Sequence, residues 1–229
     1  MSSYLRVLRH QDFRLLFLGQ SASVVGDNVV LVALALFITR RTGSPTDLGL
    51  VLGAQTVPLV ALLLLGGVWA DRLPRHRIMI AADLVRAALH ATLALLIFTG
   101  AVRVWQLIVI EALYGAAQAF FQPAYSGLLP QTVPEALIQD ARALTESTAN
   151  VAFLVGPALA TALVLGVGAG EAFAFDAATF ILGALLLNRV RPRRRGAATL
   201  PTAPGAQPRP LWHELRAGWA KSVRAPGCG

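Results

Sequence analysis

Gly67-Val-Trp-Ala-Asp71-Arg72-Leu-Pro-Arg75-His76-Arg77 sets three arginines, a histidine and an aspartate inside an otherwise apolar region. The run before it, from about Leu48 to Ala70, and the run after it, from Ile78 to Thr99, contain 20 or more residues each. As helices, both are long enough to cross an apolar layer of about 30 Å. A tight basic turn between two such runs predicts a pair of antiparallel membrane spans with the turn at one membrane surface.

The pattern repeats outward from this pair. Further apolar runs lie at about Leu15–Ile38, Val104–Ser126, Leu144–Val167 and Ala172–Asn188, giving six spans. The predicted fold is an all-α integral membrane protein, a six-helix transmembrane bundle over residues 15–188. Composition agrees: 55% of residues are hydrophobic and 14% charged, whereas a soluble domain carries about 25% charged residues. The net charge of +8 does not point to nucleic acid, because the arginines fall in the gaps between apolar runs rather than along one amphipathic face. No nucleic-acid partner is expected. Cys228 is the single cysteine, so neither a disulfide framework nor a thiolate metal site is expected. It stands second from the end of the sequence, which does not fit a prenylation box. Residues 1–14 read as a basic amphipathic lead-in. The apolar run that follows passes through Asp27 to Ile38 with no small-x-small exit, so an uncleaved first span is expected.

Lysine and arginine are enriched in cytoplasmic loops, and their distribution here is one-sided. With the N-terminus inside, sixteen of the basic residues fall on the inner side, from Arg6, Arg9 and Arg14 through Arg72, Arg75, Arg77 and Arg142 to those from Arg189 onward. Arg40, Arg41 and Arg103 fall on the other side, and Arg86 lies within a span. The expected location is the cell membrane, with both termini cytoplasmic. Residues 189–210, an arginine cluster followed by an Ala/Thr/Pro/Gly-rich run, read as a flexible linker. We read the cluster as a topology anchor in preference to a site for anionic lipid. Residues 211–229 read as an interfacial helix leading toward a further bundle.

An ionisable side chain at the bilayer centre costs about 2.5–3.5 kcal/mol on insertion scales, which makes each one a functional candidate. Gln20, Ser23 and Asp27 form one helical stripe in span 1, and Glu111, Tyr114, Gln118, Gln122 and Tyr125 form another in span 4. Two such stripes facing each other would line a wet cavity, with hydrogen bonding between helices as the alternative role. Asp83, Arg86 and His90 share a face of span 3, where Asp83 and Arg86 read as a structural ion pair and His90 as a packed histidine. Asp176, about a turn from the outer surface, is expected to be solvated. Pro58, Pro123 and Pro157 interrupt spans 2, 4 and 5 and favour kinks. The sequence contains no HExxH, no Gly-x-Ser-x-Gly elbow, no Walker loop and no cluster of metal ligands. Neither enzymatic activity nor a metal or organic cofactor is expected.

These residues resemble the major facilitator superfamily of secondary transporters. Gly67, Asp71, Arg72 and Arg75 match its Gly-x-x-x-Asp-Arg-x-Gly-Arg-basic signature between spans 2 and 3, with Pro74 replacing the second glycine. Leu107-x-x-x-Glu111-x-x-Tyr114-Gly115 is similar to its Leu-x-x-x-Arg-x-x-Gln-Gly motif with Glu in place of Arg. Gly156-Pro157 is the intact centre of an antiporter-like motif, and residues 120–130 with Ala141-x-Ala-Leu144 resemble the branch of enterobactin-type siderophore exporters and macrolide efflux pumps.

The resemblance implies one half of a twelve-span fold, built as inverted three-span repeats that rock around a central site. It implies export of a small amphipathic compound such as a drug, macrolide or siderophore, energised by the proton-motive force. Asp27 and the span 4 stripe would then face the cavity, with spans 3 and 6 mostly outside it. Asp71 would face a helix of the second bundle, and Arg75 would pair with Glu135 or Asp140. The implied partners are the lipid bilayer, a small-molecule substrate, and either the C-terminal six-span bundle or a second copy of the chain. The alternatives are a half-transporter acting as a homodimer and a truncated half without transport activity.

Overall fold

The computed structural model describes residues 3–191. The linker expected at 189–210, beyond Arg191, and the interfacial helix expected at 211–229 lie outside the described residues. The described chain is helical, with α1 at Ser3–Leu8, α2 at Gln11–Thr42, α3 at Pro45–Arg72 and α4 at Arg75–Phe98. It continues with α5 at Val104–Thr132, a short 3-10 turn at Glu135–Leu137, α6 at Ile138–Gly166 and α7 at Ala169–Leu187. Six of these, α2 to α7, are long and apolar enough to cross a membrane.

Local chemistry sets the joints. Gly43 ends α2 in the left-handed conformation at φ 65°, its N–H returning to the Thr39 carbonyl at 3.0 Å. Ser44 then caps α3 by accepting from the Asp47 N–H at 3.2 Å, with Pro45 at the first helical position. The basic turn is reduced to Leu73 and Pro74, because a residue before proline is pushed out of the helical region and Leu73 sits at ψ 156°.

Span 4 runs further than its apolar pattern predicts. The apolar runs at Val104–Ser126 and Leu144–Val167 leave a gap between them, but α5 continues to Thr132, and only Val133 to Leu137 separate it from α6. The continuation is held by burial, since Leu128, Leu129 and Val133 pack into one core with Phe13, Leu16 and Met79.

The six long helices form an open arc. Helix α3 packs on α5, α5 on α4, α4 on α7, α7 on α2, and α2 on α6. Exchanging α2 with α5, α3 with α6 and α4 with α7 reproduces the same series in reverse, as two inverted three-helix repeats require. Along α3 and α5 the backbones nearly touch: a Cβ on Gly66 would overlap the Ala119 carbonyl, and one on Gly115 would overlap that of Gln55.

The two largest apolar cores stack along the bundle. One, around Phe13, Met79, Phe121 and Leu187, lies at the end carrying the basic turn. The other, around Leu34, Leu93, Leu107 and Phe173, lies toward the opposite end. Between them each of α2, α4, α5 and α7 contributes polar residues, so the bundle has a buried polar layer at mid-height.

Candidate functional site

The polar layer is built from Ser23 and Asp27 on α2, Asp83, Arg86 and His90 on α4, Glu111 and Tyr114 on α5, and Asp176 and Thr179 on α7. In each helix these residues stand at spacings of three or four, so they share one inward face. Small residues make room for them. A Cβ on Gly26 would overlap the Asp176 carboxylate, and one on Gly183 would press on Asp83 Oδ2 at 3.2 Å.

The layer divides into two parts. In the first, Arg86 donates to Asp83 in an ion pair whose side chains are only 2% and 3% exposed. The guanidinium carbon lies 4.2 Å from the ring centroids of both Phe121 and Phe180, so cation–π contacts clamp it between α5 and α7. The structural ion pair expected from the sequence is therefore present, and it is sealed.

The second part opens on a cavity of about 270 Å³. Asp27, Asn28, Gln55, Thr56, His90, Glu111, Tyr114 and Gln118 supply its polar wall, with Leu31, Leu34 and Leu59 among the apolar remainder. Tyr114 donates its hydroxyl hydrogen to Asp27 Oδ1, joining α5 to α2. The Tyr114 and His90 rings stack at 4.5 Å with an interplanar angle of 1°. His90 Nδ1 shares a hydrogen bond of 2.5 Å with Asp176 Oδ2, and Thr179 Oγ1 reaches the other carboxylate oxygen of Asp176 at 3.3 Å. On its far side His90 Nε2 stands 3.8 Å from Glu111 Oε1, and neither atom has a hydrogen-bond partner.

This arrangement brings together four of the five cavity candidates, Asp27, Glu111, Tyr114 and Gln118. Gln20, two turns before Asp27, does not line the cavity. No lining residue comes from α6 or α7, and α4 contributes His90.

Asp176 corrects the sequence reading. It is fully buried rather than solvated, because α7 begins at Ala169 and Asp176 lies on the stripe of Phe173, Phe180 and Gly183 that packs inward. That stripe was the available signal. Gln55 and Thr56 on α3 carried none, since their place on the wall depends on the close α3–α5 contact at Gly115.

The signature turn is a separate feature. Arg75 donates to Asp71 at 3.2 Å, to the Ala70 carbonyl at 3.3 Å and to the Gly127 carbonyl at 2.8 Å. Its hydrogen bonds therefore tie the α3–α4 turn to α5. The guanidinium occupies the space a Cβ on residue 127 would need, which is why a glycine stands there. The Asp71 side chain is 76% exposed, Arg72 is exposed, and a Cβ on Gly67 would meet open space. On α6, Gly156 packs against Asn28 of α2, while Pro157 is exposed. A larger groove of about 560 Å³ runs between α3, α4 and α5, but its lining from Trp69 to Phe120 is apolar apart from Arg77 and carries no convergent polar groups.

Among the described residues no group of acidic, histidine and cysteine side chains is arranged to hold a metal ion. What the cavity offers is two carboxyls, a phenol, an imidazole and amides beside leucine and valine side chains, a set suited to binding a small molecule and exchanging protons.

Comparison with known proteins agrees with this architecture. The family profile described as "Transmembrane secretion effector" matches residues 2–203. The chain is 28% identical over 151 residues to macrolide efflux protein A of Streptococcus pyogenes, covering 66% of this chain and 37% of that protein. It is 26% identical over 178 residues to the multidrug efflux pump Tap of Mycolicibacterium fortuitum, covering 75% of this chain and 43% of that protein. The chain thus spans about two fifths of the length of these curated relatives. By the profile match, the paired three-helix repeats and the signature turn, the chain belongs to the transmembrane secretion effector family of the major facilitator superfamily.

Proposed function

We propose that this chain forms the N-terminal bundle of a secondary exporter that moves a small amphipathic compound out of the cell in exchange for protons. The observation that carries the reading is the 270 Å³ cavity at the height of the polar layer, with Asp27 and Glu111 on its wall. Substrate sites of such transporters lie near the bilayer midplane at a repeat interface, and intramembrane carboxyls there are proton-relay candidates. The efflux activities named for the relatives point the same way. The basic turn lies on the cytoplasmic side in this reading, in line with the positive-inside distribution.

Transport needs a second bundle across the cavity. The arc leaves α3 and α6 at its two ends with broad apolar faces uncovered, including Val57, Val60 and Leu64 on α3 and Phe153 and Leu154 on α6. In our reading this face receives a second six-span bundle. Asp71, bonded to Arg75 but with its side chain largely exposed, and Gly67, which faces open space, meet that bundle in the way the signature implies. A second copy of the chain is the competing occupant, and crosslinking in native membranes separates the two by yielding a species of twice the chain mass.

Substrate accumulation in inside-out vesicles driven by an imposed pH gradient tests the exporter reading. The assay uses the gene with its natural downstream sequence. The wild type transports and the Asp27→Asn and Glu111→Gln variants lose most of that transport; retained proton-driven transport in both variants sinks the coupling assignment.

A further inference from the structure

The groove between α3, α4 and α5 faces away from the polar layer. Ala81, Val85 and Leu89 line it from α4, and Leu113, Ala117 and Phe120 line it from α5. At about 100° per residue, their mean direction on each helix is more than a right angle from that of Arg86 and His90 or of Glu111 and Tyr114. On α3 the lining residues Trp69 and Leu73 point nearly opposite to Val57, Val60 and Leu64, which belong to the uncovered face assigned above to a second bundle. Neither the polar layer nor a bundle docked on that face reaches the groove. In a membrane it is open to the hydrocarbon of the bilayer.

Its length and its charge select among bilayer components. Arg77 stands at the basic turn and Leu89 beside His90 at the height of the polar layer, a rise along α4 of about 18 Å. Half of an apolar layer of about 30 Å is one leaflet, so the groove runs the depth of a single acyl chain. Small side chains, Ala82 and Ala116 among them, leave its volume of about 560 Å³. Its one charged lining residue, Arg77, is exposed, and among the described residues no carboxylate forms a salt bridge with it. Arg72 and Arg75 stand on the same turn against Asp71 alone, which is bonded to Arg75. The mouth of the groove therefore carries net positive charge.

We propose that this groove is a binding site for an anionic phospholipid of the leaflet on the basic-turn side, with one acyl chain along α4 and α5 and the phosphate at Arg77. The guanidinium supplies charge-assisted hydrogen bonds to the phosphate oxygens. Trp69 lies at the headgroup end of the lining, its ring edge to face with Phe120 at 5.6 Å, as suits an aromatic side chain at the membrane interface. The site is independent of the exporter reading, since it shares no lining residue with the cavity.

Quenching of Trp69 by brominated acyl chains tests it. The chain is reconstituted in phosphatidylcholine nanodiscs that contain increasing mole fractions of mid-chain-brominated phosphatidylglycerol or of brominated phosphatidylcholine. Subtracting the signal of the Trp69→Phe variant isolates Trp69 among the four tryptophans. Half-quenching is expected at an about fivefold lower mole fraction of the anionic lipid, the worth of one cation at an anionic surface. Arg77→Gln is expected to abolish that preference, while Arg14→Gln, which removes an exposed arginine at the same end of the bundle, retains it. Ala81→Phe fills the groove and is expected to lose quenching by both lipids, whereas Ala88→Phe, on α4 outside the lining, keeps it. All four substituted positions are exposed, and circular dichroism of each sample verifies its helix content. Equal half-quenching fractions for the two lipids overturn the proposal. So does a preference that survives Arg77→Gln or is lost equally in Arg14→Gln, which would make it a property of the whole basic surface. Absent quenching by either lipid, or quenching unchanged by Ala81→Phe, shows that no acyl chain occupies the groove.

Discussion

Arg86 and His90 are one helical turn apart on α4, equally buried, yet they belong to opposite kinds of structure. Arg86 has its carboxylate partner on the same helix and a phenylalanine ring on each side. His90 has a carboxylate on α7, another on α5 that it does not reach, and a cavity in front. The first arrangement pins three helices together. The second leaves two polar atoms unpartnered at the boundary of a space a ligand can enter. Arg86 Nε also lacks a hydrogen-bond partner, but its guanidinium is paired with Asp83 and covered by the two rings. Charge inside a membrane bundle therefore has two uses, and the difference between them is whether the charged group is enclosed with its ion partner or faces a cavity.

The widest test of this contrast is removal of the pin. Arg86→Ala leaves Asp83 buried and unpaired, and is expected to destabilise the protein by about 3–5 kcal/mol in denaturant unfolding from detergent micelles. The double replacement Asp83→Leu with Arg86→Met restores most of that loss, because an apolar pair of similar volume carries no desolvation cost. A double variant as unstable as the single one would mean that the pair does more than hold the helices.

His90→Ala comes next, at about 1–3 kcal/mol by the same measurement, since it removes one of the two side-chain hydrogen-bond partners of the fully buried Asp176 carboxyl and leaves it Thr179. Asp27→Asn is expected to change stability by less than about 1 kcal/mol, as the amide oxygen keeps the Tyr114 hydrogen bond. A loss as large as that of Arg86→Ala would erase the distinction between pin and site. Gln118→Ala, at a partly exposed position on the wall, is the smallest, within about 0.5 kcal/mol. Its effect should be confined to transport, read by the same vesicle assay that tests the exporter reading.

The two parts of the layer were not equally legible. Asp83 and Arg86 at a spacing of three on one helix announce their pairing, because a local ion pair needs only helix geometry. Asp27, Glu111, Tyr114 and Gln118 were legible as stripes of polar residues in apolar runs. Asp176 was misread as solvated because distance along the helix from its end says nothing about which neighbour covers that face. Arg75 taught the same lesson at the turn. Its partner on α5 is the carbonyl of Gly127, a backbone atom that no side-chain pattern advertises.

The sequence by itself determined the number of spans, their helical character and the signature turn, because hydrocarbon leaves backbone polar groups no partner outside the helix and the apolar run length follows from membrane thickness. It also set the joints, through Gly43, Ser44 and the Leu73-Pro74 break. The tertiary structure decided the order of the arc, the burial of Asp176, the gap between His90 and Glu111 and the entry of Gln55 and Thr56 into the cavity wall. Each of these depends on how close two helices approach and at what rotation, which is set by packing at glycines such as Gly26, Gly66 and Gly115 on partners far apart in the chain.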